Sequence, residues 1–153
     1  MGAIEEYRAH GLDAANFLGG DNLFERIKNL KDGVNLPKGY VAATYLWLVD
    51  DDGFIGEISI RHALTDALMR FGGNIGYAVR YSRWNCGFAT SMLAMTLEYA
   101  RDTVGLSRAL VTCNDENIAS ARVIEKNGGV LQDKIENTIG GKRITTRRYW
   151  IEL

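Results

Sequence analysis

The spacing of hydrophobic residues changes near residue 44, from short helical patterns to alternation. The polar N-terminal part has helical spacing over Ile4–His10 and Asn22–Leu30, which predicts two short helices. Runs rich in β-forming residues at Thr44–Val49 and Phe54–Arg61 then enclose Asp50-Asp51-Asp52-Gly53, and this pattern predicts an antiparallel hairpin. The three aspartates also suggest calcium, but EF-hand spacing and its closing glutamate are absent, so we favour a turn.

A strand, a glycine turn and a helix follow from Asn74. Every second position after it is apolar or aromatic: Ile75, Tyr77, Val79 and Tyr81. This alternation predicts a strand, and Gly87 then opens an amphipathic helical run that begins at Phe88. A right-handed crossover through this helix should set the next strand, Ala109–Cys113, parallel to the first. The free N–H groups at the helix start favour phosphate, and ligands of such sheets bind at the carboxyl ends of the strands.

The C-terminal part predicts one more helix and a final hairpin. The polar cluster Asn114–Asn117 can cap a helix that ends at Asn127-Gly128-Gly129, a glycine stop of the usual left-handed kind. The segments Gly129–Lys134 and Arg143–Glu152 flank Gly140-Gly141 and are typical of a hairpin.

Size and composition fit a single domain. The chain has 153 residues and a mass of 17.0 kDa, and 46% of its residues are hydrophobic, which suits one globular unit with its own core. We therefore expect one α/β (α+β) domain over residues 1–153, with a mixed, twisted central sheet flanked by helices. Its helical N-terminal part covers residues 1–43, and the sheet core covers residues 44–153.

Charge and cysteine content exclude several classes of function. Lys and Arg number 18 against 19 Asp and Glu, so no global charge favours nucleic acid or an anionic membrane. No apolar run approaches the ~20 residues that span a bilayer, and the N-terminus lacks the hydrophobic core of a signal peptide. Cys86 and Cys113 are far apart and have neither metal-ligand nor disulfide spacing. We therefore expect a cytoplasmic protein that needs no metal, membrane or nucleic acid.

Three motifs after residue 44 resemble the GNAT superfamily of acyl-CoA-dependent N-acyltransferases: IGYAVRYSRWNCGFATSMLAMTLEYA, LVTCNDENIASARVIEKNGGV and RRYWIEL. The resemblance implies a GNAT-like sheet and acetyl-CoA as the acyl donor. Members bind the CoA pyrophosphate on a turn of pattern Arg/Gln-x-x-Gly-x-Gly/Ala. Gly87 and Ala89 occupy the last two fixed positions, while Trp84 stands where the family has arginine or glutamine. Losing that side-chain contact should weaken CoA binding by roughly 1 to 3 kcal/mol.

The resemblance also implies which residues contact the cofactor. Val79 and Tyr81 would hydrogen-bond the pantetheine arm through their backbone, and the Val79 N–H would face the developing oxyanion. Ser120 begins the family's Ser-x-x-x-Tyr pattern, but Ile124 replaces the tyrosine. The CoA thiolate then leaves unaided or another group protonates it. The expected cofactor contacts are Val79, Tyr81, Trp84, Asn85, Cys86, Gly87, Phe88, Ala89, Thr90, Asn117 and Ser120.

Transfer to an amine also needs a base, because a free lysyl amine has a pKa near ~10.4. His62 is the first choice since it titrates near neutrality, and a structural or solvated histidine is the alternative interpretation. Glu57 on the same strand ranks second. Tyr81 offers a hydroxyl beside the expected thioester. Asn74 stands where some similar enzymes have a catalytic glutamate, and an amide cannot act as a base.

The sequence therefore favours an N-acetyltransferase that moves an acetyl group from acetyl-CoA to a primary amine of a small molecule or peptide, directly in a ternary complex. The residues Trp84, Ile124 and Asn74 leave open a catalytically weak or inactive CoA-binding sensor or scaffold. A nucleotide-binding unit is a third interpretation, but Gly-x-Gly-x-x-Gly and Gly-Lys-Ser/Thr are both missing. The apolar segment Tyr149-Trp150-Ile151 could pair across a homodimer.

Overall fold

A computed structural model describes residues 2–15 and 17–153. Its helices are α1 Ala3–Ala9, α2 Leu23–Asp32, α3 Asp66–Arg70, α4 Phe88–Tyr99 and α5 Ile118–Lys126. Its strands are β1 Ala43–Asp50, β2 Gly53–Arg61, β3 Ile75–Val79, β4 Arg108–Asn114, β5 Val130–Ile139 and β6 Lys142–Glu152. A 3₁₀ turn, Tyr81–Arg83, follows β3, and a π-helical turn, Ala100–Val104, extends α4.

The strands form one six-stranded sheet in the order β1-β2-β3-β4-β6-β5. Neighbouring strands run antiparallel, except that β3 and β4 are parallel and are joined by a crossover through α4. The pairing of these two strands consists of Ile75 opposite Val111. The predicted mixed sheet flanked by helices is therefore confirmed.

Side chains of alternating positions along each strand cover opposite faces of the sheet. On one face α4 and α5 pack over fully buried residues that include Ile58, Ile75 and Val111. On the other face α1 and the segment after it pack through Tyr7 and Phe17 against Ala78. The N-terminal part of the chain thus covers one face of the first three strands.

Asn74 ties three strands together at the start of β3. Its N–H donates to the Leu110 carbonyl at 2.7 Å, and its Oδ1 accepts the Leu110 N–H at 2.8 Å. Its Nδ2 donates to the Arg61 carbonyl at 3.1 Å, so the buried amide links β2 to β4. The adjacent Gly73 has a φ of 60°, and a Cβ there would lie 2.3 Å from the Leu110 carbonyl oxygen. Both residues hold the strands in register.

Most predicted elements agree with the structure. The two N-terminal helices, both hairpins, the parallel pair around α4 and the helix that stops before Gly128 are confirmed. In residues 2–15 and 17–153, no helix is both long and apolar enough to cross a membrane. Over the same residues, no group of three or more His, Cys, Asp or Glu side chains is arranged to hold a metal ion.

Two predictions about strands are wrong. Tyr81 does not continue β3, because the chain turns there into the 3₁₀ turn Tyr81–Arg83. β6 lies between β4 and β5, so Tyr149-Trp150-Ile151 has no free edge with which to pair across a dimer. The sequence also missed α3, which spans only five residues and begins where the Thr65 hydroxyl accepts the Leu68 N–H.

Candidate active site

Beyond the pair Ile75–Val111, the described residues of β3 and β4 form no further pairs, which leaves a gap between the carboxyl ends of the two strands. Arg80 donates its N–H to Ile55, and Asn74 accepts the N–H of Arg61, so the even-numbered residues of β3 point their backbone groups at β2. The backbone groups of Tyr77 and Val79 therefore point the other way, into the gap. This gap offers main-chain donors at the carboxyl end of the two parallel strands.

The N-terminus of α4 follows the gap closely in sequence. Gly87, the residue before the helix, has a φ of 81°, a left-handed conformation that suits glycine, and no side chain caps the helix. A Cβ placed on Gly87 would meet no atom within 4 Å. The N–H groups of Phe88, Ala89 and Thr90 thus begin a 12-residue helix whose dipole favours an anion. This geometry fits a pyrophosphate.

The residues between β3 and α4 do not bring a positive charge to that helix. Trp84 donates its indole N–H to the Val79 carbonyl at 2.8 Å, and the Tyr7 hydroxyl donates to the same oxygen at 2.8 Å. The Arg83 guanidinium instead binds Asp52 at 2.9 Å and Asp50 at 3.3 Å, in the turn of the first hairpin. Any phosphate here would rely on the backbone of α4.

Tyr81 lies outside the gap. Its ring stacks on His10 with centroids 3.6 Å apart and lies 4.8 Å from the Trp84 ring. The neighbouring Asn85 has a left-handed φ of 59°, and the exposed Cys86 donates its thiol to the Trp84 carbonyl at 3.3 Å. Trp84, Asn85 and Cys86 thus form the turn that leads from the strand to the helix.

Asn117 and Ser120, the expected cofactor contacts at the start of α5, both make hydrogen bonds within the protein. Asn117 caps α5 by accepting the Ser120 N–H on its side chain at 3.0 Å. The Ser120 hydroxyl shares a 2.7 Å hydrogen bond with the hydroxyl of Tyr77, whose pKa burial raises to about 12. Ile124 is fully buried in the core. Tyr77 was not among the candidate residues from the sequence, because alternation identified it only as a strand position.

Glu57 is a buried carboxylate on β2, next to the part of β3 that borders the gap. It is 3% exposed and lies opposite Ala78, the residue between Tyr77 and Val79. Its Oε1 accepts the Leu18 N–H at 2.9 Å, and its Oε2 accepts the Trp47 indole N–H at 2.6 Å. Burial raises the pKa of Glu57 above its ordinary value, although both hydrogen bonds oppose this effect.

Two cavities meet at Glu57. The polar cavity has a volume of about 110 Å³ and is lined by Glu57 together with Tyr45, Ser59, Arg61, Gly76 and Tyr77. The aromatic pocket has a volume of about 420 Å³ and is lined by Glu57 together with Phe17, Trp47, Phe54, Glu5 and Arg8. Glu57 therefore separates a cavity that reaches β3 from a larger pocket under α1.

His62 lies at the far end of β2 from this site. Gly56 pairs with Val79, and six further residues along an extended strand place His62 roughly 20 Å away. The His62 N–H donates to the Ala42 carbonyl, and its Nε2 shares a 2.9 Å hydrogen bond with the Thr44 hydroxyl. Burial lowers the pKa of His62. The structure brings Glu57, and not His62, to the level of Val79.

Comparison with known proteins gives a matching family. Residues 21–130 match the model of an acetyltransferase (GNAT) domain. No curated protein sequence matches the chain significantly.

Solved structures share the fold. Ribosomal-protein-S5-alanine acetyltransferase from Vibrio fischeri aligns with a TM-score of 0.73 and 16% identity, over 98% of this chain and 84% of that chain. RimL, a ribosomal L7/L12 alpha-N-protein acetyltransferase in complex with coenzyme A, aligns with a TM-score of 0.70 and 18% identity, over 99% of this chain and 85% of that chain. A SpeG spermidine N-acetyltransferase from Vibrio cholerae aligns with a TM-score of 0.62 and 16% identity, over 99% of this chain and 92% of that chain. At such identities the likeness establishes the fold alone.

Proposed function

The chain belongs to the GNAT acetyltransferase family, and we propose that it transfers the acetyl group of acetyl-CoA to the primary amine of an acceptor, directly in a ternary complex. The observation that carries this proposal is the alignment of three features. These are the gap beyond Ile75–Val111, the uncapped start of α4, and the buried Glu57 at the level of Val79.

The cofactor would bind along β3 and onto α4. The N–H groups of Phe88, Ala89 and Thr90 hold the pyrophosphate, and the pantetheine arm lies in the gap. The Val79 carbonyl already accepts two hydrogen bonds, so β3 offers its N–H groups, and not this carbonyl, to the thioester. The N–H groups of Tyr77 and Val79 point into the gap and would stabilise the oxyanion of the tetrahedral intermediate.

Glu57 is the base in this proposal. It takes a proton from the acceptor ammonium, directly or through water in the polar cavity, where several polar groups could hold water. The free amine then attacks the carbonyl carbon of the thioester, and a carbon–nitrogen bond forms. The attacking nitrogen gives up its second proton to water as the carbon–sulfur bond breaks. The sulfur leaves with its electron pair as the CoA thiolate. Burial supports this role because it brings the pKa of Glu57 closer to neutrality.

Tyr77 is the proposed hydrogen-bond donor to the departing thiolate. Its side chain reaches from β3 to Ser120 of α5, the helix that follows β4, and so extends over the gap between the two strands. The hydroxyl would compensate for Ile124, which has no proton to give. A thiol with a pKa near ~8.5 also leaves tolerably as an anion, so the aid from Tyr77 is modest.

One structural feature favours the alternative, a CoA-binding module without turnover. Both lone pairs of the Val79 carbonyl are engaged by Tyr7 and Trp84, and Arg83 is bound to the first hairpin. A pantetheine amide that needed this carbonyl would have to displace one of the two side chains. In that case acetyl-CoA would bind weakly, and an acyl group would not be aligned for attack.

Initial-rate kinetics with acetyl-CoA and amine varied together test the proposal. A ternary complex gives intersecting double-reciprocal lines, whereas an acetyl-enzyme intermediate gives parallel lines. Thermal unfolding with acetyl-CoA, with NAD and ATP as controls, reports binding independently, and ligand at 100 times its Kd adds about 2.7 kcal/mol. Acetyl-CoA that stabilises the protein while no amine is acetylated would favour the CoA-binding module.

A further inference from the structure

The aromatic pocket is walled by a chain of rings. The ring centroids of Phe17 and Phe54 are 5.9 Å apart, and those of Phe54 and Trp47 are 6.2 Å apart. These side chains come from the segment after α1 and from the first hairpin. A flat or aliphatic group can replace water against such a wall, and the pocket volume of about 420 Å³ falls in the usual range for small-molecule sites.

The pocket ends at a negative charge. Each oxygen of Glu57 accepts one hydrogen bond, from Leu18 and from Trp47, so each retains capacity for a further donor. An ammonium group carries N–H donors and a positive charge, which satisfies both the carboxylate and the faces of nearby rings. The chemistry of the pocket thus matches an amine at one end and an apolar body at the other.

The charges on α1 argue against a second positive centre in the ligand. Glu5 and Arg8 line the pocket and are both exposed, and Glu5 accepts the Gly2 N–H on Oε2 at 2.8 Å. Arg8 and Glu5 carry opposite charges that offset each other on the exposed side of the pocket, so Glu57 is the lining charge left for a ligand to balance. A ligand with a single ammonium balances that charge.

We propose that the aromatic pocket binds the acceptor, and that the acceptor is a small primary monoamine with an apolar, preferably aromatic, body. Its ammonium contacts Glu57, and its body lies against Phe17, Trp47 and Phe54. This assignment rests on the proposed acetyl transfer and specifies its acceptor class.

Calorimetric titration without acetyl-CoA tests the assignment apart from catalysis. Phenethylamine is the probe. Butylamine keeps the charge without the ring, phenethyl alcohol keeps the ring without the charge, spermidine adds charges, and a short alanine-terminated peptide represents a protein acceptor. We expect phenethylamine to bind about tenfold more tightly than butylamine or the alcohol. Tighter binding of spermidine or of the peptide overturns the assignment.

Variants locate the site. Phe54→Leu and Glu57→Gln should each weaken phenethylamine binding about tenfold. Trp150→Leu is the matched control, because Trp150 lies on β6 with Arg108 over its ring, away from the pocket. Equal losses in Trp150→Leu and Phe54→Leu would also overturn the assignment.

The two proposals fail in different ways. If phenethylamine does not bind but another class of amine is acetylated, the acceptor class is wrong and acetyl transfer stands. If phenethylamine binds with the expected variant effects but no amine is acetylated, the pocket assignment stands as a binding site and acetyl transfer fails.

Discussion

Trp47 and Glu57 lie opposite each other on β1 and β2, and the Trp47 indole N–H donates a 2.6 Å hydrogen bond to Oε2 of Glu57. The bond fixes the orientation of a buried carboxylate and stabilises its charged form against desolvation. It therefore sets the pH range in which Glu57 can accept a proton.

Trp47→Phe keeps a ring but removes this donor. Without it the pKa of Glu57 should rise further above its ordinary value, because the hydrogen bond favours the carboxylate. A base must be deprotonated, so the acidic limb of kcat/KM should move to higher pH. The charged and titratable groups that line the cavities beside Glu57 are Tyr45, Arg61 and Tyr77 in the polar cavity and Glu5 and Arg8 in the aromatic pocket. A pH–rate profile checks this, and an unshifted acidic limb would rule out Glu57 as the titrating base.

Glu57→Gln should lower kcat by about 10² to 10⁴, the usual contribution of a general base. The stability gained from acetyl-CoA should stay unchanged, since Glu57 lines the two cavities and not the open space at Gly87. His62→Ala is the comparison, and we expect its kcat to change by less than about threefold because His62 lies roughly 20 Å along the strand. A larger loss in His62→Ala than in Glu57→Gln would reverse the assignment of the base.

Tyr77→Phe removes a hydroxyl from the gap and keeps the ring. We expect kcat to fall about tenfold, less than the full effect of a general acid, because thiolate is a tolerable leaving group. Ser120→Ala, which removes the hydrogen-bond partner of Tyr77, should give a smaller loss. Steady-state kinetics with saturating acetyl-CoA measure both variants. Unchanged kcat in Tyr77→Phe would show that the thiolate leaves unaided.

Two substitutions of Gly87 separate its effect on folding stability from its effect on acetyl-CoA binding. Gly87→Ala should cost about 1 kcal/mol of folding stability, because alanine disfavours the φ of 81°, and Gly87→Asn should cost less since asparagine tolerates that conformation. Both variants add a Cβ in open space, where the pyrophosphate would lie. We therefore expect weaker binding of acetyl-CoA in both, measured by calorimetry. Full affinity in Gly87→Asn would place the pyrophosphate elsewhere.

Glu6 should control stability at acidic pH. Its carboxylate pairs with Arg80 and accepts the Ser82 N–H at 3.1 Å, and these contacts lower its pKa from 4.5 to about 2. The stabilisation is therefore complete above pH 4.5 and is lost as the pH falls towards 2. Glu6→Gln should destabilise the protein by about 2 to 4 kcal/mol at pH 7. Urea denaturation at pH 7 and pH 3 checks this, and an equal loss at both values would contradict the linkage.

Most of the fold was predictable because most elements have a local signature. A run of β-forming residues identified β2, alternation identified β3, and Gly87 and Asn127-Gly128-Gly129 marked helix boundaries by their backbone requirements. Tyr81 was misplaced because alternation cannot show where a strand turns away from its neighbours. α3 was missed because its five residues make little more than one turn, too few to show the helical period.

The site was less accessible to sequence reasoning because its contacts join distant parts of the chain. Leu18 meets Glu57 across 39 positions, and Tyr77 meets Ser120 across 43. A family pattern could indicate the turn at Gly87, but it could not rank Glu57 above His62. Their separation along β2 relative to the gap is visible only once strand register is known.

Transfer of isotopically labelled acetyl from acetyl-CoA to a panel of primary amines tests the central claim most directly. Mass spectrometry would follow the label in the wild-type protein and in Glu57→Gln at saturating acetyl-CoA. The account predicts labelled amide and an equal amount of free CoA with the wild type, and at least a roughly 100-fold slower reaction with Glu57→Gln. Label that remains on CoA with every amine, while acetyl-CoA binds, would contradict it and leave a CoA-binding module.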